Sequence, residues 1–244
     1  MKSFFISSIF LLMSCFTFAQ LGSSCGFPDW DSSRGYQANT YIEYSGSVYH
    51  NTVWSQGEQP GATGSTNWIL LGICNEQLLI DNPTLAYTQC GSVGQWNSTQ
   101  NNYDTNDLVA YNHGVYEAKY WVVGTEKPDE SDAYNFLGIC VIPIDISPAY
   151  SDGEVLIQAS LTSVPLSASL VTHGFSVVES QISIKKQTDA NFVDYVITPV
   201  NNVITHNWTP ASYGDYDIKY YCKNSVGVTT LETRTVKIAI SIPP

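Results

Sequence analysis

The sequence is poor in charged residues and poorest in basic ones. Charged side chains make up 13% of its 244 residues, and 10 Lys and Arg stand against 22 Asp and Glu, a formal net charge of −12. This charge would repel a polyanion such as a nucleic acid at long range. Because 16 Tyr and 6 Trp accompany the few charges, the composition favours a polar, aromatic-rich β protein over a disordered polyelectrolyte or a helical bundle.

Long apolar runs are absent after the N-terminus, where no stretch approaches the roughly 20 residues that span a bilayer. The N-terminus itself begins with Lys2 and an apolar run over 4–18, which is typical of a cleaved secretory signal. We predict a signal peptide at 1–19, a mature chain from Gln20 and a secreted, extracellular location. Cys15 lies in a poor lipobox, so lipidation and attachment to the cell surface remain alternatives.

Catalytic and metal-binding motifs are also lacking. The 4 His show no HxxH or HExxH spacing, and the sequence contains no GxSxG elbow or phosphate-binding loop. Its acidic clusters, at 126–132 and 215–217, fall in a turn-rich loop and on an alternating strand, unlike the opposed carboxylates of a glycosidase. We therefore expect no metal, no cofactor and no catalytic residue.

The cysteines that follow the signal define two nearly equal intervals. Cys25 and Cys74 are 49 positions apart, Cys90 and Cys140 are 50 apart, and both intervals open with Cys-Gly and close with Leu-Gly-Ile-Cys. This match predicts two equivalent disulfides and leaves Cys222 as a buried free thiol.

The two intervals are copies of one module, which we place at 25–74 and 90–140. A unit of about fifty residues buries little apolar surface, so a disulfide is an expected support. Each copy also contains a hairpin pattern around a glycine turn, which predicts a small antiparallel sheet with long aromatic loops. The aligned aromatic pairs are Trp30 with Trp96, Tyr44 with Tyr111, Tyr49 with Tyr116, Trp54 with Trp121, and Trp68 with Tyr134; Val53 aligns with Tyr120.

Two further regions complete the predicted organisation. Residues 75–89 separate the modules and are predicted to be a linker. Short β-rich runs over 145–244 alternate with period two and predict an immunoglobulin-like β-sandwich. The expected fold class is all-β, with two small disulfide-closed antiparallel β modules followed by this C-terminal sandwich.

The order Trp, Tyr-x-x-Gly-x-Val-Tyr, Trp, Gly, Pro, Trp or Tyr, Leu-Gly-x-Cys resembles the chitin-binding modules of carbohydrate-binding families 5 and 12 (chitin-binding type 3). It covers nearly all of both copies. The resemblance implies a compact β fold whose planar aromatic strip binds chitin or a related β-1,4-glycan without metal or catalysis. More loosely, the C-terminal segment resembles the immunoglobulin-like spacers beside such modules in bacterial glycosidases.

Flat aromatic rings suit this ligand because a β-1,4-linked hexose presents a face of C–H groups bordered by hydroxyls. The resemblance places Trp54, Trp121 and Tyr120 in the exposed strip. For the other aligned aromatic residues, core packing or shielding of the disulfide is the alternative to ligand contact. The candidate carbohydrate-binding residues are Trp30, Trp54, Trp68, Trp96, Tyr120, Trp121 and Tyr134.

The function that these features favour is non-catalytic binding of insoluble chitin or another β-1,4-polysaccharide. One alternative is that the chain is the N-terminal targeting region of a secreted chitinase or other glycoside hydrolase, with a catalytic domain as its partner. Another is an adhesion protein whose aromatic residues contact a protein. The targeting region would bind a polysaccharide, whereas the adhesion protein would not.

Overall fold

The computed structural model describes residues 25–100 and 102–241, so the predicted signal peptide, Gln20 and Cys15 lie outside the described residues. The chain is all-β, as predicted, with two disulfide-closed modules and an immunoglobulin-like β-sandwich. The predicted bridges are confirmed: the Cα atoms of Cys25 and Cys74 are 5.5 Å apart, and those of Cys90 and Cys140 are 5.6 Å apart. Over the described ranges, no helix is long and apolar enough to cross a membrane.

The first module is built on a three-stranded antiparallel sheet and a two-stranded ribbon. Ser45 and Gly46 both have positive φ, as a tight hairpin turn between the first two strands of the sheet requires. Ile42, Tyr36 and Trp68 form its small core. The strands are β1 (Gly35–Tyr36), β2 (Tyr41–Tyr44), β3 (Ser47–Asn51), β4 (Ser55–Gln56) and β5 (Trp68–Ile73), with order β2-β3-β5 in the sheet and β1-β4 in the ribbon.

The segment 75–89, predicted to be a linker, folds into helix α1 (Glu76–Asp81), a 3-10 turn (Pro83–Leu85) and strand β6 (Ala86–Tyr87). The side chain of Asn75 caps α1 by accepting from the amide of Gln77. The three leucines of segment 75–89 are buried in a cluster that also contains residues of both modules and of the sandwich. The cluster contains Cys25, Phe27, Val48, Cys74, Leu78, Leu79, Leu85, Ile139, Val141 and Phe175.

The second module repeats the architecture of the first, but its sheet has five strands instead of three. In both copies a bulge interrupts the same strand pair, between Val48 and Tyr49 in one and between Val115 and Tyr116 in the other. The strands are β7 (Gly94–Gln95), β8 (Asn102–Tyr103), β9 (Leu108–Tyr111), β10 (Gly114–Ala118), β11 (Val122–Val123) and β12 (Tyr134–Cys140), with order β6-β12-β10-β9-β7 in the sheet and β11-β8 in the ribbon.

The C-terminal sandwich packs a three-stranded sheet on a five-stranded one. Alternate residues face inward, so that β19 buries Tyr216, Ile218, Tyr220 and Cys222. Cys222 is a buried free thiol, as predicted. The strands are β13 (Asp145–Pro148), β14 (Glu154–Gln158), β15 (Val164–Val171), β16 (Val177–Lys186), β17 (Val193–Val196), β18 (Val203–Trp208), β19 (Gly214–Asn224) and β20 (Thr229–Ile240), with sheet orders β13-β15-β18 and β14-β20-β19-β16-β17.

Candidate functional site

Two of the six tryptophans are exposed, and they are the equivalent residues of the two modules. Trp54 is 56% exposed and Trp121 is 57% exposed. Beside Trp121, Tyr120 is 55% exposed, whereas the first module has Val53 at that place. The other four tryptophans, Trp30, Trp68, Trp96 and Trp208, are half-buried or buried. The structure therefore leaves Trp54, Tyr120 and Trp121 as the candidate strip.

The short ribbons position these rings. Trp54 directly precedes β4, and Trp121 directly precedes β11. In the pairing of each ribbon, Gly35 faces Gln56 in the first module and Asn102 faces Val123 in the second. The indole of Trp54 lies over Gly35.

Hydrogen bonds to a buried tyrosine hold each ribbon against the loop that carries the first tryptophan of its module. The hydroxyl of Tyr36 accepts from the amide of Asp31 at 2.6 Å, and the hydroxyl of Tyr103 accepts from the amide of Asn97 at the same distance. Equivalent hydrogen bonds thus hold the two ribbons in place, and each ribbon adjoins an exposed tryptophan.

Trp30 and Trp96 lie on the edge of each module's core. Each ring makes an edge-on contact with the tyrosine that begins the hairpin turn: 5.4 Å between the centroids of Trp30 and Tyr44, and 5.1 Å between those of Trp96 and Tyr111. Both tryptophans are half-buried. This packing favours a supporting role for them over flat contact with a sugar.

The structure does not place Trp68 and Tyr134 on the exposed surface, where the predicted binding strip would need them. Trp68 is 6% exposed and Tyr134 is 5% exposed, so both rings are enclosed in the cores of their modules. Trp68 Nε1 donates to the carbonyl oxygen of Glu58, and its ring meets Tyr36 edge-on at 5.4 Å. Burial likewise raises the pKa of Tyr134 to about 12. A ring covered on its faces has no surface for a sugar.

Sequence reasoning missed a cleft between the two modules. Its volume is 670 Å³, and its walls come from 34–41 of the first module and from 116–137 of the second. At its rim, Arg34 Nη2 lies 2.8 Å from Asp132 Oδ1, and Lys119 Nζ donates to the Asp132 carbonyl oxygen. No local pattern signals this cleft, because residues 98 positions apart form its rim.

Direct contacts fix the two modules against each other. The rings of Phe27 and Phe136 are 4.6 Å apart between centroids, and the hydroxyl of Tyr116 donates to the Gly26 carbonyl oxygen. Gly26 has a φ of 82°, and a Cβ atom there would stand 1.9 Å from the Asn112 carbonyl oxygen. The close approach of the modules therefore requires glycine at this position.

The ionisable groups near the cleft do not form a metal site. Burial raises the pKa of Asp129, against the opposing effect of a 3.0 Å hydrogen bond from Asn112 Nδ2. Within residues 25–100 and 102–241, no group of three or more His, Cys, Asp or Glu is arranged to hold a metal ion. What this surface offers is exposed aromatic rings beside polar side chains.

Neither a protein-family model nor a curated protein sequence matches the chain. Partial structural matches include an engineered protein (14% identity, 48% of this chain and 24% of that one, TM-score 0.33) and CopC from Methylosinus trichosporium OB3b (14%, 41% and 99%, 0.32). A third is the titin Ig tandem domains A164-A165 (11%, 55% and 77%, 0.26). The chain thus spans about a quarter of the engineered protein, and scores this low indicate no function for it.

Proposed function

We propose that the chain is a secreted, non-catalytic protein that binds insoluble β-1,4-linked polysaccharide, chitin first, through Trp54, Tyr120 and Trp121. One observation carries the proposal: the two tryptophans exposed among six are equivalent residues of two copies. Exposing a large aromatic side chain to water is unfavourable, because its burial would lower the free energy. The exposure of a tryptophan at the same position of both copies therefore supports a ligand-binding surface.

The expected energies fit a site with several rings. If one ring face hides roughly 100 Å² of apolar surface on a sugar, the gain is about 2.5 kcal/mol. Association costs several kcal/mol of rigid-body freedom, so a single ring gives weak binding. Three exposed rings, one in the first module and two in the second, would together contribute about 7.5 kcal/mol, which is of the same order as this cost.

The chemistry of the surface suits an uncharged glycan. Stacked rings cover the C–H face of each sugar and leave its equatorial hydroxyls to water or to polar neighbours. Ion pairing has no part in this contact, so salt should scarcely weaken it. The two disulfides support a location in an oxidising compartment, in keeping with secretion.

The proposal is tested by retention on solid polysaccharides. The mature chain is mixed with crystalline chitin, cellulose or xylan at low salt and at about 0.5 M salt, where charges are screened within a few ångströms. We expect retention on chitin at both salt concentrations. Retention should fall in the double variant Trp54→Ala, Trp121→Ala and persist in Ile157→Ala, which removes a 69% exposed apolar side chain of the sandwich. No retention on any polysaccharide would contradict the proposal and favour a protein ligand.

A further inference from the structure

The cleft between the modules is lined by residues that neighbour the exposed aromatic residues of both modules. Gly35 forms part of its wall in the first module, and the Trp54 indole lies over Gly35. Lys119 forms part of its wall in the second module and directly precedes Tyr120 and Trp121 in the chain. The cleft wall therefore includes a residue that the Trp54 ring contacts and the residue that precedes the Tyr120–Trp121 pair.

The size and lining of the cleft suit a polar, uncharged ligand. Its 670 Å³ falls within the roughly 300–1,000 Å³ of small-molecule sites. The Arg34 and Lys119 side chains supply hydrogen-bond donors, the Asp132 carboxylate accepts, and the side-chain amides of Gln37 and Asn135 do both. Donors and acceptors in such a mixture match hydroxyl and acetamido groups better than they match a charged ligand.

The charges at the rim largely satisfy one another. Arg34 is paired with Asp132 at 2.8 Å, and the Arg34 guanidinium also lies 5.7 Å from the centre of the Tyr36 ring. Lys119 is engaged with the Asp132 carbonyl oxygen. A cleft with balanced charge has no preference for an anion or a cation, which again favours a neutral glycan.

Direct contacts between the modules also join the two walls of the cleft. The Phe27–Phe136 ring contact and the hydrogen bond from Tyr116 to Gly26 join the modules directly. Helix α1 adds Leu78 and Leu79 to the same buried cluster. A ligand that bridges the modules would therefore find both aromatic surfaces already placed, with little ordering cost.

From these observations we infer that the two modules form one composite site, in which a single glycan chain crosses Trp54, the cleft and the Tyr120–Trp121 pair. The inference rests on the proposed function and specifies its ligand: an uncharged β-1,4-linked oligosaccharide long enough to reach both modules. Two independent sites, one for each copy, are the opposing arrangement. They would take two ligands per chain, whereas the composite site takes one.

Calorimetric titration of the mature chain with a chitin hexasaccharide and with the disaccharide separates these arrangements. Ala38 is an exposed turn residue in the cleft wall, and Ala38→Trp fills the cleft without altering Trp54 or Trp121. The matched control is Ala62→Trp, at an exposed loop residue that does not line the cleft. A second blocking variant, Asn135→Trp, lies on the opposite wall and replaces Ala38→Trp if that variant fails to fold.

We expect one hexasaccharide per chain, and about tenfold or greater loss of hexasaccharide affinity in Ala38→Trp, with the control unchanged. The disaccharide, too short to span the cleft, should bind the wild type and Ala38→Trp alike. Two hexasaccharides per chain, or unchanged affinity in both folded blocking variants, would overturn the composite site while the proposed function stands. If the wild type is retained on none of the insoluble polysaccharides, the proposed function fails and the composite site fails with it.

Discussion

The indole ring of Trp54 lies against the backbone of Gly35, where an added Cβ atom would stand 3.5 Å from Trp54 Nε1. The residue is nevertheless 56% exposed, so the ring is supported from one side and open to solvent on another. A ring supported in this way loses little conformational freedom when a sugar covers it. Under the proposed function, Trp54 would therefore contribute to binding, whereas its contribution to the core is small.

This arrangement predicts that Trp54→Ala and Trp121→Ala weaken chitin binding without unfolding the protein. Each change should cost roughly 1–3 kcal/mol of binding free energy, as for a well-placed aromatic anchor. The melting temperature should stay near that of the wild type, because surface substitutions alter stability little. Depletion isotherms on chitin, measured beside melting curves, check both quantities.

Leu231→Ala is the matched control, since it shortens a 56% exposed side chain of the sandwich and should change neither quantity. An early melt in either tryptophan variant would indicate a core role instead. Unchanged chitin affinity in the folded double variant would remove both rings from the binding site.

Trp68→Ala should behave in the opposite way. Its ring is 6% exposed and packs on Tyr36, so truncation leaves a cavity that should cost about 3–5 kcal/mol of unfolding free energy. Trp68→Phe keeps most of the packing and should cost less. Urea unfolding of the two variants measures the difference. If Trp68→Ala kept wild-type stability but bound chitin less tightly, Trp68 would belong to the binding surface.

The sequence was sufficient to predict the fold class and the disulfides, because equal cysteine intervals and period-two patterns are local signals. The sequence did not indicate that Trp54 is exposed whereas Trp68 is buried. Strand β5 reads Trp-Ile-Leu-Leu-Gly-Ile, an apolar run without alternation, and a bulge in its pairing with β3 shifts which side chains face inward. The direction of the Trp68 ring therefore depended on the bulge.

The relation between the modules was beyond sequence reasoning for a different reason. Gly26 lies against Asn112, and Arg34 forms an ion pair with Asp132, although more than 80 residues separate the members of each pair in the sequence. No periodicity encodes such contacts. The apolar residues of segment 75–89 fall in two short runs that show no helical or strand period, although Leu78 and Leu79 are among the most buried residues of the protein.

Cys222 should be unreactive in the folded protein. It is fully buried in the sandwich, and burial raises the pKa of its thiol to about 11, so little thiolate exists at pH 8. A thiol reagent should label no site in the native mature chain and one site per chain after unfolding without reductant. Cys222→Ala should abolish that one label. Rapid labelling of the native protein, or more than one label after unfolding, would contradict the assignment of the cysteines.

The carboxylate of Glu76 links helix α1 to two loops of the sandwich. It accepts from the amide and the hydroxyl of Ser176, each at 2.9 Å, and from the hydroxyl of Ser225 at 2.8 Å. Burial by itself would raise the pKa of Glu76, but the hydrogen bonds from Ser176 and Ser225 outweigh burial and lower the pKa below its usual 4.5. The folded state thus favours the ionised form.

Since the unfolded chain holds this proton more tightly, Glu76 stabilises the fold fully above about pH 4.5 and progressively less as the pH falls through the pKa of the folded state. Glu76→Gln should therefore lower the free energy of unfolding near pH 7, with a difference from wild type that shrinks at acidic pH. Urea unfolding at several pH values measures this, with the exposed Glu179→Gln as the matched control. A difference that stays constant down to about pH 3, well below the unfolded pKa, would show that the carboxylate charge has no part in holding α1 to the sandwich.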